Sequence, residues 1–153
     1  MAANAYRFID RWRVPFPPEK VWEVLSRAED YPRWWRGVYL SATPLDQDAK
    51  RVAVVARGRL PYKLRFTIES LRTEKPGLIE FRATGDFLTD VSRWVLEAEG
   101  NGTAVTLEWN PIVEKPLVKF LSPVIKPIFH WNHAWCMRRG ERQIGEYLKN
   151  CTS

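Results

Sequence analysis

The segment from Lys119 to Ser153 constrains the fold more than any other part of this chain, because it has the length and periodicity of one long helix. Pro123 and Pro127 disturb its beginning, so we expect the regular helix to start at about Ile128. The preceding segments have the features of a helix pair followed by β-hairpins. This order predicts a curved sheet closed around one helix, and such a fold tends to leave a hollow that an apolar small molecule can occupy.

Length and composition indicate a single globular domain over residues 1–153, with 45% hydrophobic and 27% charged residues. Aromatic residues make up 13% of the chain and include eight Trp, so large rigid side chains are expected to dominate the interior. No apolar run approaches the roughly 18 residues of a membrane-spanning helix, and residues 1–10 lack the apolar stretch of a secretory signal. We therefore expect a cytoplasmic protein.

The net charge of +6 raises the question of an anionic partner such as nucleic acid or a membrane surface. Much of the charge alternates with apolar residues, as on the solvent face of a half-buried sheet: Arg7, Arg11, Arg13, Lys63, Arg65 and Arg82. No aromatic-plus-basic ribonucleoprotein motif or zinc-finger spacing is present. The sequence therefore predicts no nucleic-acid partner.

The first strand is expected from about Tyr6 to Val14, with Asp10 on the same face as the apolar residues Phe8 and Trp12. A helix should begin near Pro18 and Glu19, since a missing N–H and a negative charge both suit a helix start. A short second helical turn should follow and end at Gly37. Further strands are predicted near residues 38–45, 51–59, 62–73, 78–85, 88–99 and 103–112.

Two hairpins predict a register. Asn101 and Gly102 are typical of a two-residue turn, and the resulting pairs are Ala98 with Val105, Leu96 with Leu107 and Trp94 with Trp109. A turn over residues 74–77 pairs Thr73 with Leu78, Ser70 with Phe81, Ile68 with Ala83 and Phe66 with Gly85. It also places Glu69 opposite Arg82 as an exposed ion pair.

Helical periodicity gives the C-terminal helix two distinct faces. The face expected to meet the sheet carries Phe129, His133, Cys136, Met137, Gly140, Ile144, Tyr147 and Leu148. The opposite face carries Arg138, Arg139, Arg142, Glu146 and Lys149. Gly140 weakens the helix by about 1 kcal/mol relative to Ala, so we expect a close approach of the backbone to the sheet or ligand space there.

The segments Trp12–Trp22, Asp30–Trp35 and Trp131–Leu148, in this order of elements, resemble the START and Bet v 1-like (SRPBCC) superfamily, in particular its polyketide cyclase/dehydrase and lipid-transport type. The resemblance covers nearly the whole chain. It implies an α+β helix-grip fold, in which a curved seven-stranded antiparallel sheet wraps around a long C-terminal helix, with two short helices after strand 1. Members include carriers, hormone binders and aromatase or cyclase enzymes, and they share no catalytic motif that could be transferred.

The residues expected to face the hollow form the predicted ligand-binding set: Phe8, Asp10, Trp12, Phe66, Ile68, Phe81, Ser92, Trp94, Leu96, Trp109, Phe129, His133 and Met137. The alternative is that these side chains fill a solid core, because aromatic stripes usually pack and an empty void loses contacts. A hollow would suit a polycyclic, isoprenoid or acyl ligand.

Polar residues on the inner face are candidates for chemistry, since a buried polar group without a partner is costly. They are Asp10, Ser70, Asp90, Ser92 and His133. His133 could donate a proton or bind a ligand, and Asp10 or Asp90 could orient it. The structural alternative makes Asp90 a turn residue, Ser92 a backbone-bonded hydroxyl and His133 a satisfied core residue.

The sequence contains no motif that indicates phosphate binding, nucleophilic catalysis or zinc catalysis. No glycine-rich phosphate loop, nucleophile elbow or zinc-enzyme spacing occurs. His130 and His133 lie three apart, but no third ligand accompanies them, so we predict no metal and no cofactor. Cys136 and Cys151 are expected to be free thiols.

Trp131 and Trp135 are expected on the charged side of the helix, beside Arg138 and Arg142. Exposed aromatics flanked by cations favour a transient membrane contact or a homodimer contact, whereas loops from the first helices could instead cover them. The sequence thus predicts binding or transport of a small hydrophobic ligand, with a cyclase or aromatase enzyme as the first alternative. A protein that works only through this helix face is the second.

Overall fold

The structure is a computed structural model that describes residues 8–59, 63–89, 91–109, 111–113 and 116–151. Side chains are described for residues 8–59, 63–86, 89, 91–109, 127 and 130–150. The predicted positions Tyr6, Arg7 and Asp90, and the side chains of Phe129 and Cys151, lie outside these ranges.

The first elements form as the sequence predicts. Strand β1 spans Phe8–Val14, and helix α1 spans Pro18–Leu25 with Pro at its first position. A 3₁₀ turn over Ala28–Asp30 leads into the short helix α2, Tyr31–Trp34. These two short helices cover one end of the interior, since Val21, Leu25 and Trp34 are nearly inaccessible.

Seven antiparallel strands form one curved sheet, which confirms the predicted fold class. The strands after β1 are β2 Tyr39–Pro44, β3 Arg51–Ala56, β4 Leu64–Glu74, β5 Leu78–Gly85, β6 Phe87–Thr89, β7 Ser92–Glu99, β8 Gly102–Trp109 and β9 Pro111–Val113. The sheet order is β1-β8-β7-β5-β4-β3-β2, and β6 pairs separately with β9. The predicted strands 88–99 and 103–112 are therefore each divided into a sheet strand and a short strand of this second pair.

The register predicted for the β7–β8 hairpin is wrong by two residues. The structure pairs Leu96 with Val105 and Trp94 with Leu107, and the turn is Gly100-Asn101 rather than Asn101-Gly102. Gly100 has φ +60°, which matches the hairpin turn with glycine at its first central position. Gly102 is instead the first residue of β8, where the end of the paired strand β1 is so close that a Cβ would lie 2.7 Å from the Val14 carbonyl oxygen.

The β4–β5 register is confirmed over most of its length, with Ser70 opposite Phe81, Ile68 opposite Ala83 and Phe66 opposite Gly85. A register shift between Ser70 and Thr73 then places Thr73 opposite Ile79, so the predicted pair of Thr73 with Leu78 is wrong. Glu69 faces Arg82 as predicted, but the ion pairs among the described side chains do not include these two.

Helix α3 spans Pro116–Cys151 without a break, so the predicted start at Ile128 is wrong and neither Pro123 nor Pro127 ends the helix. The predicted inner face is confirmed where side chains are described, because Met137, Ile144 and Leu148 are buried. The close approach expected at Gly140 is also present. A Cβ there would lie 2.7–2.8 Å from ring atoms of Trp35 and Trp12.

Among the described residues, no helix combines the length and apolarity that a bilayer crossing requires. The outer face of the sheet is polar, and the described arginines of the predicted solvent face, such as Arg11 and Arg82, are exposed. On the same face Arg93 bridges Glu80 and Glu108 at 3.3 and 2.9 Å. The interior therefore lies on one side of the sheet, between it and the helices.

Candidate functional site

An apolar cavity of about 160 Å³ lies between the sheet and α3. Its walls come from all seven strands of the large sheet, from the region of α1 and α2, and from residues 132–137 of α3. Most lining side chains are aromatic or aliphatic. The polar and charged ones include Ser26, Tyr39, Lys50, Arg57, Ser70, Asn132 and His133. A cavity of about 150 Å³ with apolar walls is large enough to hold a benzene ring. The volume is below the roughly 300–1,000 Å³ of typical ligand pockets.

The cavity brings together eight residues of the predicted ligand-binding set: Phe8, Phe66, Ile68, Phe81, Trp94, Trp109, His133 and Met137. Trp12, Leu96 and Ser92 are buried but do not line the cavity. Asp10 is outside the lining as well, and it reaches the cavity wall only through a bond to His133. Phe129 cannot be placed, since its side chain lies outside the described part of the helix.

His133 and Asp10 form a hydrogen-bonded pair that links α3 to β1, with 2.5 Å between His133 Nε2 and Asp10 Oδ2. An ionised carboxylate can only accept, so the imidazole donates from Nε2, and in the neutral form of the ring Nδ1 is an acceptor. Phe8 and Trp109 flank the imidazole, with ring centroids 3.8 and 5.3 Å away. The side chains of His133 and Asp10 are 10% and 23% exposed, which places the pair at the edge of an apolar space, where it can hold or move a proton.

Next to the cavity the interior is packed with indole rings, which we call the tryptophan cluster: Trp12, Trp34, Trp35 and Trp94. Trp34 and Trp35 stack with centroids 5.1 Å apart. The Trp35 indole N–H donates to the Cys136 carbonyl oxygen at 2.9 Å and so ties α2 to α3. The indole N–H groups of Trp12 and Trp34 have no partner among the described residues.

Three aromatic residues that were not in the predicted ligand-binding set also line the cavity: Tyr31, Trp35 and Tyr39. Tyr39 lies at the start of the edge strand β2, where the burial pattern shows no clear alternation that could assign a face. The Tyr31 hydroxyl donates to the Leu25 carbonyl oxygen at 2.6 Å. Burial raises the pKa values of Tyr39 and Tyr31 well above the ordinary value, so both hydroxyls stay protonated.

Cys136 lines the cavity beside Tyr39, and burial raises the pKa of its thiol to about 12. The thiol is therefore neutral at physiological pH and a poor nucleophile. Gly58 packs against it, since a Cβ at Gly58 would lie 2.6 Å from Cys136 Sγ. No group of three metal-ligating side chains occurs among the described residues.

The outward side of α3 carries the aromatic and basic residues noted in the sequence. Trp131 is 50% exposed, whereas Trp135 is only partly accessible. The Arg59 guanidinium lies 5.9 Å from the Trp131 ring centroid and 5.6 Å from that of Trp135, and Arg139 lies 5.2 Å from the Trp135 centroid. The first helices therefore do not cover Trp131.

A family model described as polyketide cyclase / dehydrase and lipid transport matches residues 14–134 of this chain. A search of curated proteins finds no match.

Solved structures share the fold. TTHA0849 from Thermus thermophilus is 20% identical, with a TM-score of 0.73 over 91% of this chain and 97% of that one. A START superfamily protein from Mycobacterium smegmatis is 15% identical, with a TM-score of 0.73 over 92% of this chain and 98% of its own. The Zhui aromatase/cyclase from Streptomyces sp. R1128 is 13% identical, with a TM-score of 0.64 over 92% of this chain and 96% of that protein. At these identities the likeness shows the helix-grip fold.

Proposed function

This chain belongs to the polyketide cyclase / dehydrase and lipid transport family, and from that premise we propose that it binds a small hydrophobic ligand in the cavity between the sheet and α3. The observation that carries the proposal is the apolar cavity of about 160 Å³, ringed by Phe8, Phe66, Phe81 and Trp109. Flat rings lose little conformational entropy on binding, and they bury apolar ligand surface efficiently. The guest that suits this volume has one ring or a short branched chain.

Two measurements test the proposal. Native mass spectrometry of freshly purified protein should show a co-purifying apolar compound that is released unchanged. Calorimetric titration with toluene should show saturable one-to-one binding. A protein that carries no guest and does not bind toluene at its solubility limit would contradict the proposal.

A second candidate function is catalysis of a cyclisation in the same cavity, and the His133–Asp10 pair favours it. The imidazole would accept a proton from a carbon between two carbonyl groups, and that carbon would attack a second carbonyl to form the C–C bond. His133 would return the proton to the new alkoxide, and elimination of that hydroxyl with the remaining hydrogen of the attacking carbon would release water and form a C=C bond in the ring. Asp10 would hold the imidazole in the tautomer that leaves Nδ1 as base.

If the protein is a cyclase, substitution of His133 or Asp10 should abolish turnover without abolishing ligand binding. With a short poly-β-ketone as substrate, His133→Ala and Asp10→Asn should abolish cyclisation, while both variants still bind toluene. Cyclisation at the wild-type rate in both variants would remove these residues from any mechanism.

A third candidate role is docking on an anionic bilayer through Trp131, Trp135, Arg138 and Arg142. These four residues lie at helical spacing on α3, and the carboxylate of the intervening Glu141 accepts the backbone N–H of Arg13. Indole rings favour the membrane interface and cations favour anionic lipids.

The bilayer contact is tested with two double variants. Trp131→Ala with Arg138→Glu should lose co-sedimentation with vesicles of phosphatidylcholine and phosphatidylglycerol. Arg11→Glu with Arg82→Glu, on the outer face of the sheet, changes the net charge by more and should nevertheless lose less. Equal losses, or a concentration-dependent dimer through this face, would overturn the bilayer docking.

A further inference from the structure

We propose that the Tyr39 hydroxyl is the anchoring hydrogen-bond donor for the ligand, so the natural guest carries a neutral acceptor oxygen, such as a ketone or ester carbonyl, on an apolar body. This inference rests on the proposed function and names the ligand class of the same cavity. Tyr39 lies among the lining residues. Among the described residues, no group forms a hydrogen bond with its hydroxyl.

The Tyr39 ring is fixed by other aromatic rings, so its hydroxyl has a defined direction. Its centroid lies 5.2 Å from Tyr31, 5.2 Å from Trp35 and 6.4 Å from Phe66, at tilted or edge-on angles. A donor held in this way loses little entropy when a ligand binds to it.

Tyr39 is half-buried, and its hydroxyl lies in largely apolar surroundings, where a donor without a protein partner gains a hydrogen bond when a ligand oxygen reaches it. The neighbouring hydroxyl of Tyr31 shows the usual solution, since it donates to the Leu25 carbonyl oxygen at 2.6 Å. Cys136 is the polar neighbour of Tyr39, and a thiol is only a weak acceptor. A ligand oxygen would supply the missing bond.

The protonation state of Tyr39 and Cys136 sets the kind of acceptor that suits this part of a lining that elsewhere includes Lys50 and Arg57. Burial raises the pKa of Tyr39 far above its ordinary value and that of Cys136 to about 12. Both groups are therefore neutral, and a neutral phenol in apolar surroundings donates to a carbonyl without requiring an anion on the ligand. An apolar ketone or ester satisfies the hydroxyl and still fits the apolar walls.

The test uses two probes of nearly equal shape, acetophenone and α-methylstyrene, in which C=O is replaced by C=CH₂. Tyr39→Phe should raise the Kd for acetophenone about tenfold, by the loss of one hydrogen bond, and change that for α-methylstyrene less than twofold. Tyr31→Phe is the matched control, because its hydroxyl is already bonded within the protein; it should leave the ratio of the two Kd values unchanged.

A second readout reports the bond itself. The carbonyl stretching band of bound acetophenone should lie at lower frequency in the wild-type protein than in Tyr39→Phe. Equal weakening of both probes, or an unshifted carbonyl band, would show that Tyr39 only packs and would overturn the inference while the proposed function stands. Failure of both probes to bind the wild-type protein would remove the proposed function and this inference together.

Discussion

Two neighbouring regions of the interior, the tryptophan cluster and the cavity, are both rich in aromatic side chains. The cluster is closely packed and forms the solid region, whereas the cavity is the hollow region. In the tryptophan cluster, Gly140 lets the α3 backbone approach so closely that even a methyl group would meet Trp12 and Trp35. Two turns earlier, His133 contributes to the wall of a cavity of about 160 Å³. The size of the side chains along one face of α3 therefore decides where the helix contacts the sheet and where the two enclose a cavity.

The polar groups of the two regions also differ in their roles. In the tryptophan cluster the Trp35 indole N–H joins α2 to α3, and the indole N–H groups of Trp12 and Trp34 have no partner among the described residues. At the cavity, Asp10 holds the His133 imidazole, and the Tyr39 hydroxyl is the donor that we propose for the guest. The solid region therefore holds the elements together, and the hollow region carries the candidate chemistry.

The largest expected effect is on the reactivity of Cys136, which lies at the border of the two regions. With a pKa of about 12, its thiolate fraction at pH 8 is roughly a thousandfold below that of an ordinary thiol of pKa about 8.5. Alkylation by iodoacetamide, measured by mass spectrometry in a Cys151→Ser background, should be slower than in urea-unfolded protein by about this factor. The folded rate should rise about tenfold per pH unit up to about pH 11. A folded rate within about tenfold of the unfolded rate at pH 8 would mean that water enters this part of the interior freely.

Enlarging Gly140 should damage the solid region. Gly140→Ala forces the rings of Trp12 and Trp35 to move, and we expect a loss of about 1–3 kcal/mol in the free energy of unfolding. Gly145 lies on the same helix with 4.0 Å to the nearest atom, Pro15 Cδ, so Gly145→Ala should stabilise by about 0.5–1 kcal/mol. Urea denaturation measures both, and equal effects would contradict the close packing at Gly140.

A larger side chain in the lining of the cavity should instead weaken ligand binding and change the free energy of unfolding only slightly. Ala83 is buried and lines the cavity, so Ala83→Leu would place its added carbons in open space. We expect more than about tenfold weaker binding of toluene and a change of stability within about 1 kcal/mol. Ala104→Leu, facing outward on β8, is the matched control and should bind normally. A loss of stability as large as that of Gly140→Ala would show that the cavity is closed in solution.

The smallest effect is expected outside both regions. Arg93 bridges Glu80 and Glu108 on the outer face, where its side chain is 33% exposed. Arg93→Met should cost about 0–1 kcal/mol and leave toluene binding unchanged. A larger loss, measured by the same urea denaturation, would mean that the outer face contributes to stability on the scale of the interior.

The sequence predicted the fold, the inner face of α3 and the close approach at Gly140, because each depends on local periodicity and residue size. It also placed Asp10 and His133 on faces that meet. It could not predict the β7–β8 register, since the close approach of Val14 on the paired strand β1 favours Gly102 within β8, and this contact joins distant segments. Tyr39 was missed for a related reason, because the side of an edge strand that faces the cavity depends on its partner strand.

The sequence also could not show which part of the interior is closely packed and which part contains a cavity. Trp12 and Phe8 follow the same alternation on β1, but one packs into the tryptophan cluster and the other lines the cavity. Sequence periodicity indicates which face of a strand or helix is buried. The enclosed volume depends instead on the distance between each turn of α3 and the sheet.

Diffraction from crystals held under xenon pressure tests the hollow region most directly, since xenon enters dry apolar cavities of this size. We predict a xenon site bounded by Phe8, Phe66 and His133, and no site among Trp12, Trp35 and Gly140. An interior without xenon between the sheet and α3 would contradict the account.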